Sequence, residues 1–400
     1  MPFQIRTLPS AEPSLLIEPR VTPNNLVSLQ ALRAGAAISV SLVHLNLISV
    51  MLQGGSNERA TLYPLASGVD LFFVISGFIM VYSSGQLFGK SDSLYIFFMR
   101  RIARVVPIYW LTMSIDLFLE RKPLSLTNLF GSYFFVPFME SDGSIVPLYG
   151  VGWTLNFEMF FYCVFSIMIM FRRSIAILGV STVLFSMMVL ENLLQTPPIP
   201  VIFWSDPIVF EFIFGMLLAV IYRRGIRLPL PICLAMIVAG VCAVWWPSPS
   251  MPPLGWWVSP SGSRFLFWGI PATMVVAGAI LQRRSLPFAV PRPIEILGNA
   301  SYSVYLVHIL VFNSILILWP YGLNTFPILV VLICGEALTI VVSVGSYYLF
   351  EHPMNRLIQR LLIGRGARGP ASAVRVTIPL PESAVVSARG AKPEPGPAGA

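Results

Sequence analysis

Ten mostly apolar stretches, each close to the length that crosses a lipid bilayer, dominate the chain. They fall at about residues 27–52, 69–88, 105–120, 152–171, 174–192, 204–222, 228–246, 264–282, 295–318 and 325–350. A bilayer core of roughly 30 Å needs about 20 apolar residues of helix to span it. Inside lipid, only a helix or a closed barrel satisfies its own backbone polar groups. Composition removes the soluble alternative. The chain is 56% hydrophobic and only 11% charged, where a soluble domain carries about 25% charged residues. The expected fold is an all-α polytopic membrane protein, with about ten transmembrane helices enclosing a polar cavity.

The charges set an orientation. Sixteen basic residues fall on one set of turns: Lys90, Arg100, Arg101, Arg104, Arg172, Arg173, Arg223, Arg224, Arg227, Arg283, Arg284, Arg292, Arg356, Arg360, Arg365 and Arg368. Only Arg59, Arg121, Lys122 and Arg264 fall on the opposite loops. The positive-inside rule then predicts both termini in the cytoplasm and favours an even helix count. Three segments follow: a cytoplasmic N-terminal segment 1–26, a transmembrane domain 27–362 and a tail 363–400. Rich in Ala, Gly, Pro and Ser, the tail is expected to be disordered. The first 25 residues lack the apolar run of a cleavable signal.

Several chemistries find no support. Cys163, Cys233, Cys242 and Cys334 lie in apolar runs without CxxC spacing, so they read as small hydrophobes, with no disulfide framework and no metal site. The clustered basic residues are a topology signal and not a nucleic-acid footprint. No Walker motif, GxSxG elbow, HExxH or GxGxxG turn is present.

The polar residues inside the apolar runs are costly, roughly 2.5–3.5 kcal/mol for a central charge. Arg33 and His44 share "ALRAGAAISVSLVHL". Eleven residues turn a helix by about 1100°, roughly 20° past three full turns, so both side chains lie on one face about 16.5 Å apart. Arg33 then belongs at the inner interface and His44 near mid-depth. Asp70, Glu158, Glu211, His308 and Glu336 lie in other runs. Together they imply a polar cavity. Arg101 and Arg104 share a face at the inner mouth if that segment is helical, and arginine's fork of donors suits phosphate groups. Gly77, beside the cavity candidate Ser76, allows close helix contact.

In order along the chain, these residues resemble the acyltransferase-3 family of membrane proteins, within it the branch acetylating bacterial exopolysaccharides. The first helix carries Arg, ten residues, then His ("LQALRAGAAISVSLVHL"). The second reads "GVDLFFVISGFIM". Arg101 and Arg104 supply an Arg-x-x-Arg. The segments "WTLNFEMFFY", "GNASYSVYLVH" and "LFEHPMNR" follow in order, so that the resemblance covers about residues 27–360. Gln30 and Ala34 stand where an Asp and a Gly often flank the arginine.

The resemblance implies transfer of an acyl group, most often acetyl, from cytoplasmic acetyl-CoA to a sugar hydroxyl of an exopolysaccharide or its lipid-linked precursor. The place implied is the bacterial inner membrane. Arg33, Arg101, Arg104 and Ser76 are the expected donor-binding residues. His44, Arg33 and Glu158 are the expected catalytic set. A neutral imidazole suits a general base; an acyl-histidine relay stays open as the second role. Glu158 or Asp70 orients that imidazole or binds sugar. Trp153, Tyr302, Tyr305 and His308 join Asp70 as acceptor-binding candidates. Expected partners are the saccharide acceptor, membrane lipids and other polysaccharide-assembly proteins. Two further classes remain open: a carrier or flippase using the same cavity, and an anchor for an assembly complex. A carrier would move substrate without the thioester.

Overall fold

The structure, a computed structural model, describes residues 23–52, 62–121, 124–246, 264–283, 290–318 and 326–363. The expected tail lies outside these residues except for its first position, as does most of the N-terminal segment; residues 23–26 already belong to the first helix. Among the described residues 81% are helical, and no strand forms.

The helices are α1 (Pro23–Leu52), α2 (Gly68–Ser83), α3 (Ser93–Glu120), α4 (Leu126–Phe134), α5 (Trp153–Met168), α6 (Arg173–Leu193), α7 (Ile199–Trp204), α8 (Phe210–Arg223), α9 (Leu230–Val244), α10 (Ile270–Ile280), α11 (Arg292–Asn299), α12 (Ser301–Leu318), α13 (Ile328–Ser346) and α14 (His352–Ile363). Among the described residues, seven helical segments are long and apolar enough to cross a membrane: Val27–Val50, Tyr63–Ser83, Ser93–Glu120, Gly150–Met168, Arg173–Leu193, Ser301–Leu318 and Ile328–Ile363. The protein is an all-α, multi-pass membrane protein. Two further apolar helical stretches, Leu230–Val244 and Phe265–Ile280, are shorter.

Each of the ten apolar runs contains helix, with differences at the ends. The run at 204–222 is broken. Pro207 has no N–H to continue a helix, and the Asp206 carboxylate accepts from the Ile208 N–H at 2.8 Å, which starts a new one. In the run at 295–318, α11 ends at Asn299 and α12 begins at Ser301. The third helix starts twelve residues earlier than the apolar run and passes through Pro107, so Arg101 and Arg104 are helical neighbours on one face. In the long loop 121–150 a short helix forms, α4, capped by the Ser125 hydroxyl. Its Leu126, Phe130 and Phe134 are exposed, as an interfacial helix would present them.

At the centre, α1 packs against α2, α10, α11, α12 and α13. Helices α2 and α8 cross closely. A Cβ at Gly77 would lie 2.1 Å from the Phe212 carbonyl oxygen, and one at Gly215 would lie 2.0 Å from that of Val74. Two glycines facing each other let the backbones touch. Around this crossing, aromatic rings fill the core: Phe161 stacks on Phe212 at 4.3 Å, and Phe73 lies 4.7 Å from Phe212. On the outside, Leu178, Val238, Ile333 and Val341 are exposed. Such surfaces are at home in lipid, where apolar exposure carries no penalty.

Two helices contain wide π-type turns, Phe265–Gly269 and Tyr347–Glu351. Such turns often mark functional positions. The first follows Arg264 and the second ends in Glu351, and both charges are buried.

Candidate active site

Arg33 is 8% exposed. It does not snorkel toward lipid: its Nε and Nη2 donate to the Ser301 hydroxyl at 3.1 and 3.0 Å. Ser301 is the first residue of α12, so this bond ties α1 to the point where α12 begins. Arg33 opens onto a cavity of about 690 Å³, part of it open to the surface. Arg101, Arg104, Ser76, Glu158, Tyr302 and Tyr305 also line it. The structure therefore gathers seven of the expected site residues on one cavity, from α1, α2, α3, α5 and α12. Thr154 and Tyr162 add polar groups that the sequence pattern does not single out.

The electrostatics are lopsided toward positive. Three guanidinium groups meet two carboxylates, Glu158 and Glu351. Glu158 accepts from the Ser76 hydroxyl at 3.2 Å and from the Tyr162 hydroxyl. Glu351 accepts from the Ser303 hydroxyl and faces Arg104 and Arg33. Arg101 lies over the rings of Phe97 and Tyr162, at 5.2 and 5.8 Å, which fixes its plane. The Nε of Arg101 and the hydroxyl of Tyr302 are buried without a hydrogen-bond partner among the described residues. Buried donors left unmatched cost about 1–3 kcal/mol each, and a bound anion would remove that cost.

His44 is also buried, on the same side of α1 as Arg33, but it is not among the residues lining the cavity. It meets His308 of α12 instead. His44 Nδ1 and His308 Nε2 are 3.3 Å apart, with ring centroids at 5.0 Å. Tyr305 connects the two regions: it lines the cavity, and its ring lies 6.0 Å from that of His308. The Tyr305 hydroxyl bonds to the Thr154 hydroxyl at 2.8 Å and donates to the Val151 carbonyl at 2.9 Å, which holds the ring in place.

Asp70 and Trp153 form a third group, away from the cavity wall. Arg264 Nη2 pairs with the Asp70 carboxylate at 2.8 Å, its Nε adding a bond at 3.2 Å. The guanidinium carbon lies 4.7 Å from the Trp268 ring centre and 5.6 Å from that of Trp153. Glu211 of α8 completes the group, its carboxyl within hydrogen-bond reach of Asp70. Neither Glu211 oxygen receives a bond from a donor among the described residues. Gly269 leaves the room it needs, since a Cβ there would be 2.6 Å from Glu211 Oε1.

By sequence Arg264 counts with the outer loops, and Glu351 enters only inside "LFEHPMNR". An arginine buried at a helix start carries no hydropathy signal. The signal for Glu351 is a carboxylate at the end of an apolar run.

A match over most of the chain decides the family. The acyltransferase domain of the acyltransferase-3 type matches residues 26–348. The chain belongs to the acyltransferase-3 family. This acyltransferase is 28% identical over 337 residues to the exopolysaccharide production protein ExoZ of Rhizobium meliloti (strain 1021), covering 77% of this chain and 95% of ExoZ. It is 25% identical over 366 residues to YrhL of Bacillus subtilis (strain 168), whose name makes it a candidate peptidoglycan O-acetyltransferase. That match covers 82% of this chain and 54% of YrhL. No solved structure matches. The family makes the protein a membrane acyltransferase.

Proposed function

We propose that this acyltransferase moves an acyl group, most often acetyl, from acyl-CoA to a sugar hydroxyl of an exopolysaccharide or its lipid-linked precursor. It works in the bacterial inner membrane, with both termini in the cytoplasm. The observation that carries the reading is the convergence of Arg33, Arg101 and Arg104 on one cavity, with a histidine pair one ring away. The donor is an anionic thioester made inside the cell. Three guanidiniums at the inner end match its phosphates, and the unpartnered Arg101 Nε and Tyr302 hydroxyl offer further donors.

The thioester arm runs along α1, past Tyr305, toward His44. There the acceptor hydroxyl approaches the thioester carbonyl. His44 takes the hydroxyl proton as the oxygen attacks, and positioned proton transfer of this kind is worth about 10²–10⁴-fold. Collapse of the tetrahedral intermediate breaks the C–S bond, and the sulfur leaves with a proton as the free thiol. Glu158 keeps Ser76 and Tyr162 oriented at the cavity wall. Tyr302 and Tyr305 are the acceptor-binding candidates best placed on the cavity. Asp70 is engaged by Arg264, so its part is to hold α2 to the start of the α10 segment.

ExoZ's name supports an exopolysaccharide acceptor. The test is mass spectrometry of surface polysaccharide from cells with the chain deleted and then restored. Ester-linked acyl groups are expected to vanish on deletion and return on restoration. Unchanged acylation in the deleted cells would remove the exopolysaccharide from the proposal.

A further inference from the structure

The two imidazoles in the bundle are not equivalent neighbours, and two backbone carbonyls define their relation. His44 Nδ1 lies 2.8 Å from the carbonyl oxygen of Val40, one turn earlier in α1. His308 Nδ1 lies 3.2 Å from the carbonyl oxygen of Val304, one turn earlier in α12. A carbonyl oxygen only accepts, so each Nδ1 must carry a hydrogen. A neutral imidazole has one N–H, and its other nitrogen is then an acceptor. His308 Nε2 is therefore a bare lone pair, 3.3 Å from the Nδ1–H of His44. That N–H is shared between the Val40 carbonyl and the His308 ring. His44 Nε2 keeps its lone pair as the basic nitrogen.

We propose that His308 is the positioning residue of the acyl transfer: it fixes the His44 tautomer with Nε2 as the base and shares the proton's charge through the Nδ1–H···Nε2 contact. This deepens the function proposed above and rests on it for its catalytic part. When the acceptor hydroxyl gives its proton to His44 Nε2, the ring becomes an imidazolium. Its Nδ1–H then makes a charge-assisted bond to His308 Nε2, which is shorter and about twice as strong as the neutral one. The positive charge spreads over two rings, and the Nδ1–H of each faces a backbone carbonyl, Val40 for His44 and Val304 for His308. A lone cation buried among the apolar side chains around Phe312, whose ring lies 5.8 Å from that of His308, would be costly. As the C–S bond breaks, the sulfur takes the proton from His44 Nε2 and both rings return to neutrality.

The chain has three histidines, which makes the ring nitrogens readable by NMR. The first experiment uses full-length protein with ¹⁵N-labelled histidine in nanodiscs, with His352→Gln assigning the third ring. The expected result is that His44 and His308 are both neutral with hydrogen on Nδ1, with a coupling across the hydrogen bond from His44 Nδ1 to His308 Nε2. An Nε2–H tautomer in either ring overturns the proposal. This arm needs no turnover, so it reads independently of whether the acyl transfer reading holds. The second experiment measures label transfer from labelled acetyl-CoA to de-O-acylated surface polysaccharide from the producing cells. His308→Leu is expected to lower kcat about a hundredfold with the donor KM unchanged. His308→Gln, whose amide oxygen can accept from His44, is expected to recover at least about tenfold of that loss. Equal losses in the two variants, or wild-type kcat in His308→Leu, overturn the role. If His308→Leu does not fold, the NMR arm and His308→Gln still decide.

Discussion

Arg264 and Asp70, 194 residues apart in the chain, close a buried ion pair at 2.8 Å that fastens the start of α2 to the wide turn ahead of α10. Glu211 stands beside both. Removing one partner of a buried pair leaves an uncompensated charge, at a cost of about 3–5 kcal/mol. Here Glu211 can replace Asp70 as the counter-charge. Asp70→Asn and Glu211→Gln are therefore expected to be tolerable singly. Together they leave Arg264 facing only the more distant charge of Asp206, and the double variant should lose more melting temperature than the two single losses added. Thermal unfolding of the purified proteins in detergent measures this, and simple additivity would mean that Glu211 does not back up Asp70.

The facing glycines of α2 and α8 make a second prediction. Gly77→Ala or Gly215→Ala forces a methyl group to within about 2 Å of the opposite backbone, and overpacking of this kind costs about 1–3 kcal/mol. Gly35→Ala has open space around it and should be neutral or slightly stabilising, because alanine is the better helix former. Melting temperatures of the three variants in one detergent check the contrast.

Much of this architecture is legible in the sequence. The apolar runs mark α1, α2, α3, α5, α6, α8, α9, α10, α12 and α13, because lipid imposes a length and a composition on every crossing. The face shared by Arg33 and His44 follows from helical arithmetic within one helix. What stays hidden is the rotation of one helix against another. Nothing in "SYSVYLVH" says that His308 turns toward His44, or that Ser301 meets Arg33, since hydropathy gives depth and not azimuth. The Asp70–Arg264 pairing is hidden for the same reason, and Arg264 beside a Pro-rich stretch looks like a loop charge.

The arginine wall predicts how donor binding fails. Arg101→Ala and Arg104→Ala each remove a charged donor whose bonds to a phosphate would be worth about 1.5–3 kcal/mol. Each should raise the KM for acetyl-CoA roughly 10- to 100-fold, with a smaller effect on kcat. Initial rates across a donor titration test it. Unchanged donor saturation in the double variant would place the phosphates elsewhere.

Tyr305 stands between the cavity and the histidines, so its ring should govern what reaches His44. Tyr305→Phe keeps the ring and loses the bonds to Thr154 and Val151. Tyr305→Ala opens the wall. Tyr305→Ala is expected to release free CoA from acetyl-CoA in the absence of acceptor, as water gains the place of the sugar, while Tyr305→Phe releases little. Thiol release followed with a colorimetric reagent separates the two variants, and equal release from both would deny Tyr305 a separating role.

Thioester chemistry at a histidine buried beside an arginine-lined cavity is the centre of the proposed function. Its most direct measurement is transfer of labelled acetyl from acetyl-CoA to de-O-acylated polysaccharide by purified wild-type protein and His44→Ala. Wild type should transfer label; His44→Ala should lose about 10²–10⁴-fold while still binding acetyl-CoA with wild-type affinity. Full transfer by the correctly inserted His44→Ala protein would contradict it.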